Sequence, residues 1–203
     1  MSIEVDYYVS IDFETYGAVT SENGFTQLGS CIMCAKTGCV VGKFNQYANQ
    51  QGYTKDEACM ERFWRKHPKT LARTEQKCAE SPHTPHQVVE LWYNWVMETL
   101  PNKNAMNISD NSEFDVGILR FFCKHDILTM YGSYRCFVDT NKFFQGMARR
   151  PYSFKDWSID RAKEVVGELP PSPTEHDHDA VNDAISIAHN WAHIQLKLQN
   201  QTQ

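Results

Sequence analysis

The chain has 203 residues, 41% of them hydrophobic, with five Trp and eleven Phe, which suffices for one substantial core and excludes disorder throughout. No apolar run is long enough to span a bilayer, and the opening MSIEVDYYVSIDFET has no basic segment ahead of an apolar stretch, so neither a membrane span nor a signal peptide is expected. The formal net charge of −5 argues against a polyanionic partner unless carboxylates hold cations; two divalent ions, adding four positive charges, would bring it to −1. The expectation is a single domain over residues 1–203 of a soluble, cytoplasmic protein.

Tyr7 to Glu14 reads as a strand, with Tyr8, Val9, Ile11 and Phe13 supplying aromatic and β-branched bulk. Phe25 to Ala35 and Cys39 to Phe44 read as two more, joined by a turn at Lys36-Thr37-Gly38. Cys31 and Cys34 fall inside the first of these. With seven scattered cysteines and no second CxxC, free thiols are expected, buried within that strand, instead of a disulfide framework or a zinc site.

Asp56 to Lys66 is expected to be a helix ending before Pro68. Thr84, Pro85 and Gln87 form a capping box that opens a helix with Val88, Leu91, Trp92, Trp95 and Val96 at helical spacing. Ala105 to Ser109 reads as a short strand, Glu113 to Lys124 as a helix that Ser112 would cap, and Arg135 to Asp139 as a strand. A last helix runs from Ala180 to Leu198 with Ile185, Ala188, Trp191, Ala192 and Leu196 on one side. This order predicts an α/β fold with a mixed central sheet of about five strands flanked by helices.

Three segments carry the chemistry. In Ile11-Asp12-Phe13-Glu14-Thr15, strand alternation points Asp12 and Glu14 the same way. Two adjacent carboxylates beside a core repel unless they share a cation, and magnesium favours such oxygen donors; the plainer reading is a strand end exposing two acids to solvent. Asn111-Ser112-Glu113-Phe114-Asp115 puts acids at a helix start, where negative charge is stabilising in any case. His176 and His178 stand in a loop after Leu169-Pro170-Pro171, with Asp183 in the first turn of the last helix. This segment suits a convergent site, a solvated loop, or zinc binding by the two histidines.

Taken in order, the segments resemble the motifs of the DEDDh exonuclease superfamily (RNase T and proofreading-subunit type). Asp12-x-Glu14-Thr15 resembles its DxET, Asn111-x-x-Phe114-Asp115 its NxxFD, and His178-x-Ala180-x-x-Asp183 its HxAxxD. In the superfamily's "y" branch a Tyr would stand at position 179, where this chain has Asp179. Phe63-Trp64 and the insertion before Thr84 look most like the phage exonuclease A and mycobacterial 3′–5′ exoribonuclease group.

The resemblance implies an RNase H-like fold and release of 5′-mononucleotides from the 3′ ends of single-stranded or 3′-overhanging RNA or DNA. It also implies two Mg²⁺ (or Mn²⁺) held by Asp12, Glu14, Asp115 and Asp183, with Asp12 bridging and His178 as general base. Homodimerisation, common in such families, is an open expectation. Thr15, Tyr16, Phe25 and Asn111 lie in or near the motifs and are candidate contacts to the terminal nucleotide. The stretch Arg62 to Lys77 has six basic residues against one acid, with Phe63 and Trp64 among them. It reads either as a stacking and phosphate-binding strip or as an amphipathic helix with a buried aromatic pair. Rival readings are an RNase H-type endonuclease, a non-catalytic nucleic-acid-binding module of the same fold, and a small zinc protein.

Overall fold

A computed structural model describes residues 5–18, 23–100, 104–127, 130–131, 137–147 and 158–201. Five strands form one mixed sheet: β1 (Tyr7–Thr15), β2 (Phe25–Cys34), β3 (Val40–Tyr47), β4 (Ala105–Ser109) and β5 (Val138–Asp139), in the order β3-β2-β1-β4-β5. β1 pairs antiparallel with β2 and parallel with β4; β2 pairs antiparallel with β3, and β4 parallel with β5. Of the strand predicted at Arg135 to Asp139, Arg135 and Cys136 lie outside the described residues. No helix among the described residues is long and apolar enough to cross a membrane.

Alternation along β1 creates two cores. Val9, Ile11 and Phe13 join Leu28 and Ile32 against α3 (Pro85–Thr99) and α4 (Ser112–Phe122), where Trp92, Val96, Leu119 and Phe122 fill the layer. Tyr8, Cys31, Met33 and Ile108 meet α5 (Thr140–Met147), α6 (Ser158–Val166) and α7 (Ala180–Gln201) on the other face. Each fully buried large side chain contributes roughly 1.5–3 kcal/mol through area removed from water. Asp12 and Glu14 share the second face, so they look toward α7.

α7 lies unusually close to the sheet. Ala180, Ala184, Ala188 and Ala192, spaced one helical turn apart, are all fully buried, and Ser10 Oγ donates to the Ala184 carbonyl at 2.6 Å. Gly29, the register partner of Asp12, lies directly beneath the start of α7. A Cβ there would come within 2.0 Å of the Ala180 carbonyl carbon. Gly29→Ala should therefore destabilise the protein by about 3 kcal/mol or more, because rigid backbone and no side chain end must yield. Denaturant unfolding would check this, and a loss under about 1 kcal/mol would mean that α7 is free to shift.

Several elements differ from expectation. The helix predicted over 56–66 stops at Arg62: α1 is Glu57–Arg62, and a 3₁₀ turn follows at Trp64–Lys66. Asp56 caps α1 by accepting from Cys59 N at 2.6 Å. The break turns Trp64 inward to pack on Tyr16 and Met60. Pro68, expected only to end a helix, opens α2 (Pro68–Glu80) at its first position; α5 and α6 lie where no helix is predicted, whereas α2 falls largely in the stretch for which an amphipathic helix is one of the two readings. The capping box on α3 is present as expected. Ser112 is not the cap of α4: Asn111 occupies that position, and Ser112 donates from both N and Oγ to the Asp139 carboxylate. Described cysteines are all free, with Cys31 and Cys78 buried and Cys34 only partly so.

Candidate active site

Asp12 and Glu14 at the end of β1 and Asp183 in the first turn of α7 bring carboxylate oxygens within 4.8 Å of one another. They line a cleft of about 330 Å³ together with Asp110, His176 and His178. Burial, then the like charges of Asp115, Glu14, Asp110 and Asp183, push the Asp12 carboxyl well above its usual range. Burial and the neighbouring Asp183 and Asp179 raise Glu14 to about 8. Burial raises Asp110 and Asp183 as well. So many acids facing one cleft form a donor set of hard oxygens that fits magnesium or manganese and disfavours the cation-free, fully ionised state.

Asp115 sits behind this group and not within it. It is 2% exposed; its carboxylate accepts from Ser109 Oγ and from the Phe13 amide, and burial raises its pKa. Its charge is nonetheless the largest of those acting on Asp12. Asp110, which sequence reading passed over, stands closer to the cleft, directly after β4.

His176 and His178 project from the loop ahead of α7. His176 Nδ1 lies 2.7 Å from Asp183 Oδ1. The His178 ring stands at centroid distances of 4.7 Å from Phe63, 5.1 Å from His67 and 4.5 Å from His176. Desolvation, with His176 and His67 nearby, holds His178 below the usual imidazole value. Its backbone is left-handed (φ 56°), alone among the described non-glycine residues, a conformation an ordinary L-residue adopts only when its surroundings enforce it.

The enforcement comes from α2. Arg73 Nη1 lies 3.3 Å from Asp177, and Nη2 lies 3.5 Å from the His178 carbonyl and 3.7 Å from Asp179. Although desolvation pushes the other way, hydrogen bonds from Asn182 and Arg73 hold the Asp177 carboxyl below its usual range. Asp179 accepts from Gln27 Nε2 at 2.9 Å and from Val181 N at 3.4 Å, fastening the start of α7 to β2. Arg73→Gln should leave the fold intact and lower turnover by about tenfold to a hundredfold, since small misplacements of reacting groups cost that much. Steady-state kinetics would check it; unchanged turnover would relieve Arg73 of any part in placing the loop.

The candidate substrate contacts fare unevenly. Phe25 and Trp64 are fully buried and Tyr16 is 2% exposed. Phe25 packs on Phe13 and Phe122, and Trp64 donates to the Thr15 carbonyl at 2.9 Å. No ring face is left for a base at these three positions. Thr15 is partly buried beside the cleft, and Asn111 is exposed at the head of α4. Phe63, partly buried, is the one candidate aromatic whose ring meets a site residue, His178. The basic strip is also less free than its composition suggests: Arg65 pairs with Glu57 and Glu61, Arg73 with Asp177 and Asp179, and Lys77 with Glu80. The amphipathic reading, with Trp64 but not Phe63 buried, describes this stretch better.

No protein-family model matches the sequence, and neither does any curated protein. Solved structures do match. The nuclease domain of 3′hExo, a DEDDh family member bound to rAMP, superposes with a TM-score of 0.63 at 17% identity, over 97% of this chain and 93% of that one. Cell-death related nuclease 4 (CRN-4) gives 0.65 at 16% identity, over 95% of this chain and 64% of that one. E. coli Exonuclease I in complex with a dT13 oligonucleotide gives 0.68 at 12% identity, over 97% of this chain. The chain spans less than two thirds of CRN-4 and 42% of Exonuclease I. The fold is the RNase H-like α/β fold of these nucleases.

Proposed function

We propose that residues 1–203 act as a single metal-dependent 3′–5′ exonuclease domain of the DEDDh type. The observation that carries this reading is convergence: β1, the segment after β4, and the loop into α7 bring Asp12, Glu14, Asp110, Asp183, His176 and His178 to one cleft. Asp12, Glu14 and Asp183 would hold the divalent cations, and Asp115 would join them once its carboxylate turns from Ser109. When bound, a pair of such ions supplies charge neutralisation at the phosphate and acidifies the attacking water.

The chain's own residues do the rest. His178, uncharged near neutral pH because its surroundings disfavour the imidazolium, takes the proton of the water that attacks phosphorus. The 3′ oxygen of the penultimate nucleotide leaves as the phosphorus–oxygen bond breaks, releasing a 5′-mononucleotide. Arg73 and Asp179 hold the loop that aims His178, and Phe63 offers an aromatic edge for the last base. Thr15 and Asn111 stay candidate contacts to that nucleotide. On Phe63-Trp64 and the insertion before Thr84, we place the chain nearer the phage exonuclease A and mycobacterial 3′–5′ exoribonuclease group.

Solved relatives by fold are described with rAMP and with DNA oligonucleotides, which supports a single-stranded substrate of either kind. In a matched set, single-stranded RNA or DNA should be digested from the 3′ end in Mg²⁺ or Mn²⁺ faster than 3′-recessed and duplex substrates, and left intact by Asp115→Ala. Cleavage of a circular or 3′-blocked strand would point to an endonuclease. Binding without metal-dependent turnover would point to a non-catalytic module.

A further inference from the structure

Two metal-ligating groups overlap at Asp183. One is the oxygen set of Asp12, Glu14 and Asp183; the other is His176, His178 and Asp183, whose ligand atoms also all lie within 4.8 Å of one another. The two sets differ in chemistry. Carboxylates alone suit magnesium and manganese, whereas two imidazoles with one carboxylate suit zinc, which takes three protein ligands and keeps a fourth position open for water. His176 is already oriented, with Nδ1 2.7 Å from Asp183 Oδ1. His178 is held opposite by the Phe63 and His67 rings and by Arg73 on its carbonyl.

We propose that His176, His178 and Asp183 form a zinc site, distinct from the magnesium set but sharing its carboxylate, and that its occupation inhibits the enzyme. Zinc there takes the imidazole that would serve as base and draws Asp183 from the hard-metal side. This inhibitory consequence rests on the exonuclease reading; the binding itself does not. The small-cation competition is local, since nothing outside the loop and the first turn of α7 needs to move.

The test is read first without nucleic acid or magnesium. Cys34 and Cys39, a partly buried and an exposed thiol, compete for soft metals, so a Cys34→Ser/Cys39→Ser protein serves as the background. Titration with Co²⁺ should give the intense visible bands of low-coordinate nitrogen ligation at one ion per chain, and Zn²⁺ should abolish them. His176→Ala and, independently, His178→Gln should remove the bands and weaken zinc by about tenfold or more. Asp12→Ala should keep them. The His176 side chain is 70% exposed, so its loss does not threaten folding. Zinc affinity unchanged in both histidine variants, or bands lost only with Asp12, would overturn the proposal by placing the ion among the carboxylates. Where the protein hydrolyses nucleic acid, zinc should inhibit in the presence of excess magnesium; wild-type binding without inhibition would overturn the regulatory half alone.

Discussion

An Asp12→Asn protein should hydrolyse a single-stranded substrate at least about a thousandfold more slowly in magnesium, yet melt at a higher temperature than wild type when no metal is present. The first effect follows from the several kcal/mol that a metal site contributes to stabilising charge in the transition state, at tenfold in rate for each 1.4 kcal/mol. The second follows from the repulsion that surrounds Asp12. Desolvation and four neighbouring carboxylates all oppose its ionisation, and an amide of the same shape removes that penalty. The gain in melting temperature should be about 2–4 °C for each kcal/mol relieved in a chain of this size.

The same charges set a pH dependence with a definite sign. Carboxyls whose folded pKa lies above the unfolded value bind more protons when folded, so the metal-free protein loses stability as pH rises from roughly 4, the unfolded value. Glu14 carries the loss up to about pH 8. Cations supply what the protons gave up. Magnesium should therefore raise the melting temperature more at pH 8 than at pH 5, and Asp12→Asn should shrink that difference. Equal magnesium shifts at both pH values, or a variant less stable than wild type in EDTA, would mean that these acids are not the strained group described.

Much of this arrangement was legible because it is local. Alternation in β1 put Asp12 and Glu14 on one face, and the Thr84 box marked the start of α3 to the residue. None of the three motif segments was decisive alone; their order along the chain made them recognisable, and the sheet order brings them together. α2 was legible only as one of two readings of the basic stretch, because its buried positions, Thr74 and Cys78 with Leu71 beside them, are too polar or small to print a hydrophobic period. Phe25 was misread because an aromatic beside a motif looks the same whether it faces a cleft or a core. A shift in the β1–β2 register between Glu14 and Thr15 sends it to the α3–α4 side. Gly29, His67 and Asp110 had no signal of their own, and Arg73 read only as one of six basic residues in a strip. Their importance comes from what they touch: Gly29 from α7 some 150 residues on, Arg73 from a loop more than 100 residues away.

His178→Ala should lower the single-turnover rate by about 10²–10⁴ while leaving magnesium affinity nearly unchanged, the signature of a lost proton acceptor and not of a lost ligand. The structure favours His178 over its neighbour for this role. His176 is engaged with Asp183 through Nδ1, whereas no group among the described residues hydrogen-bonds the His178 ring, which is left free to take a proton. Its depressed pKa moves the acid limb of the rate below the ordinary imidazole midpoint of about 6.5, and bound cations would push it lower. At saturating magnesium the wild-type rate should hold from pH 8 to below 6.5 and then fall, with the limb absent in His178→Ala. A rate lost in His176→Ala but kept in His178→Ala would transfer the role to His176. A wild-type profile flat from pH 8 to 5 would leave the reaction without an imidazole base, and the left-handed loop held by Arg73 would then need another purpose.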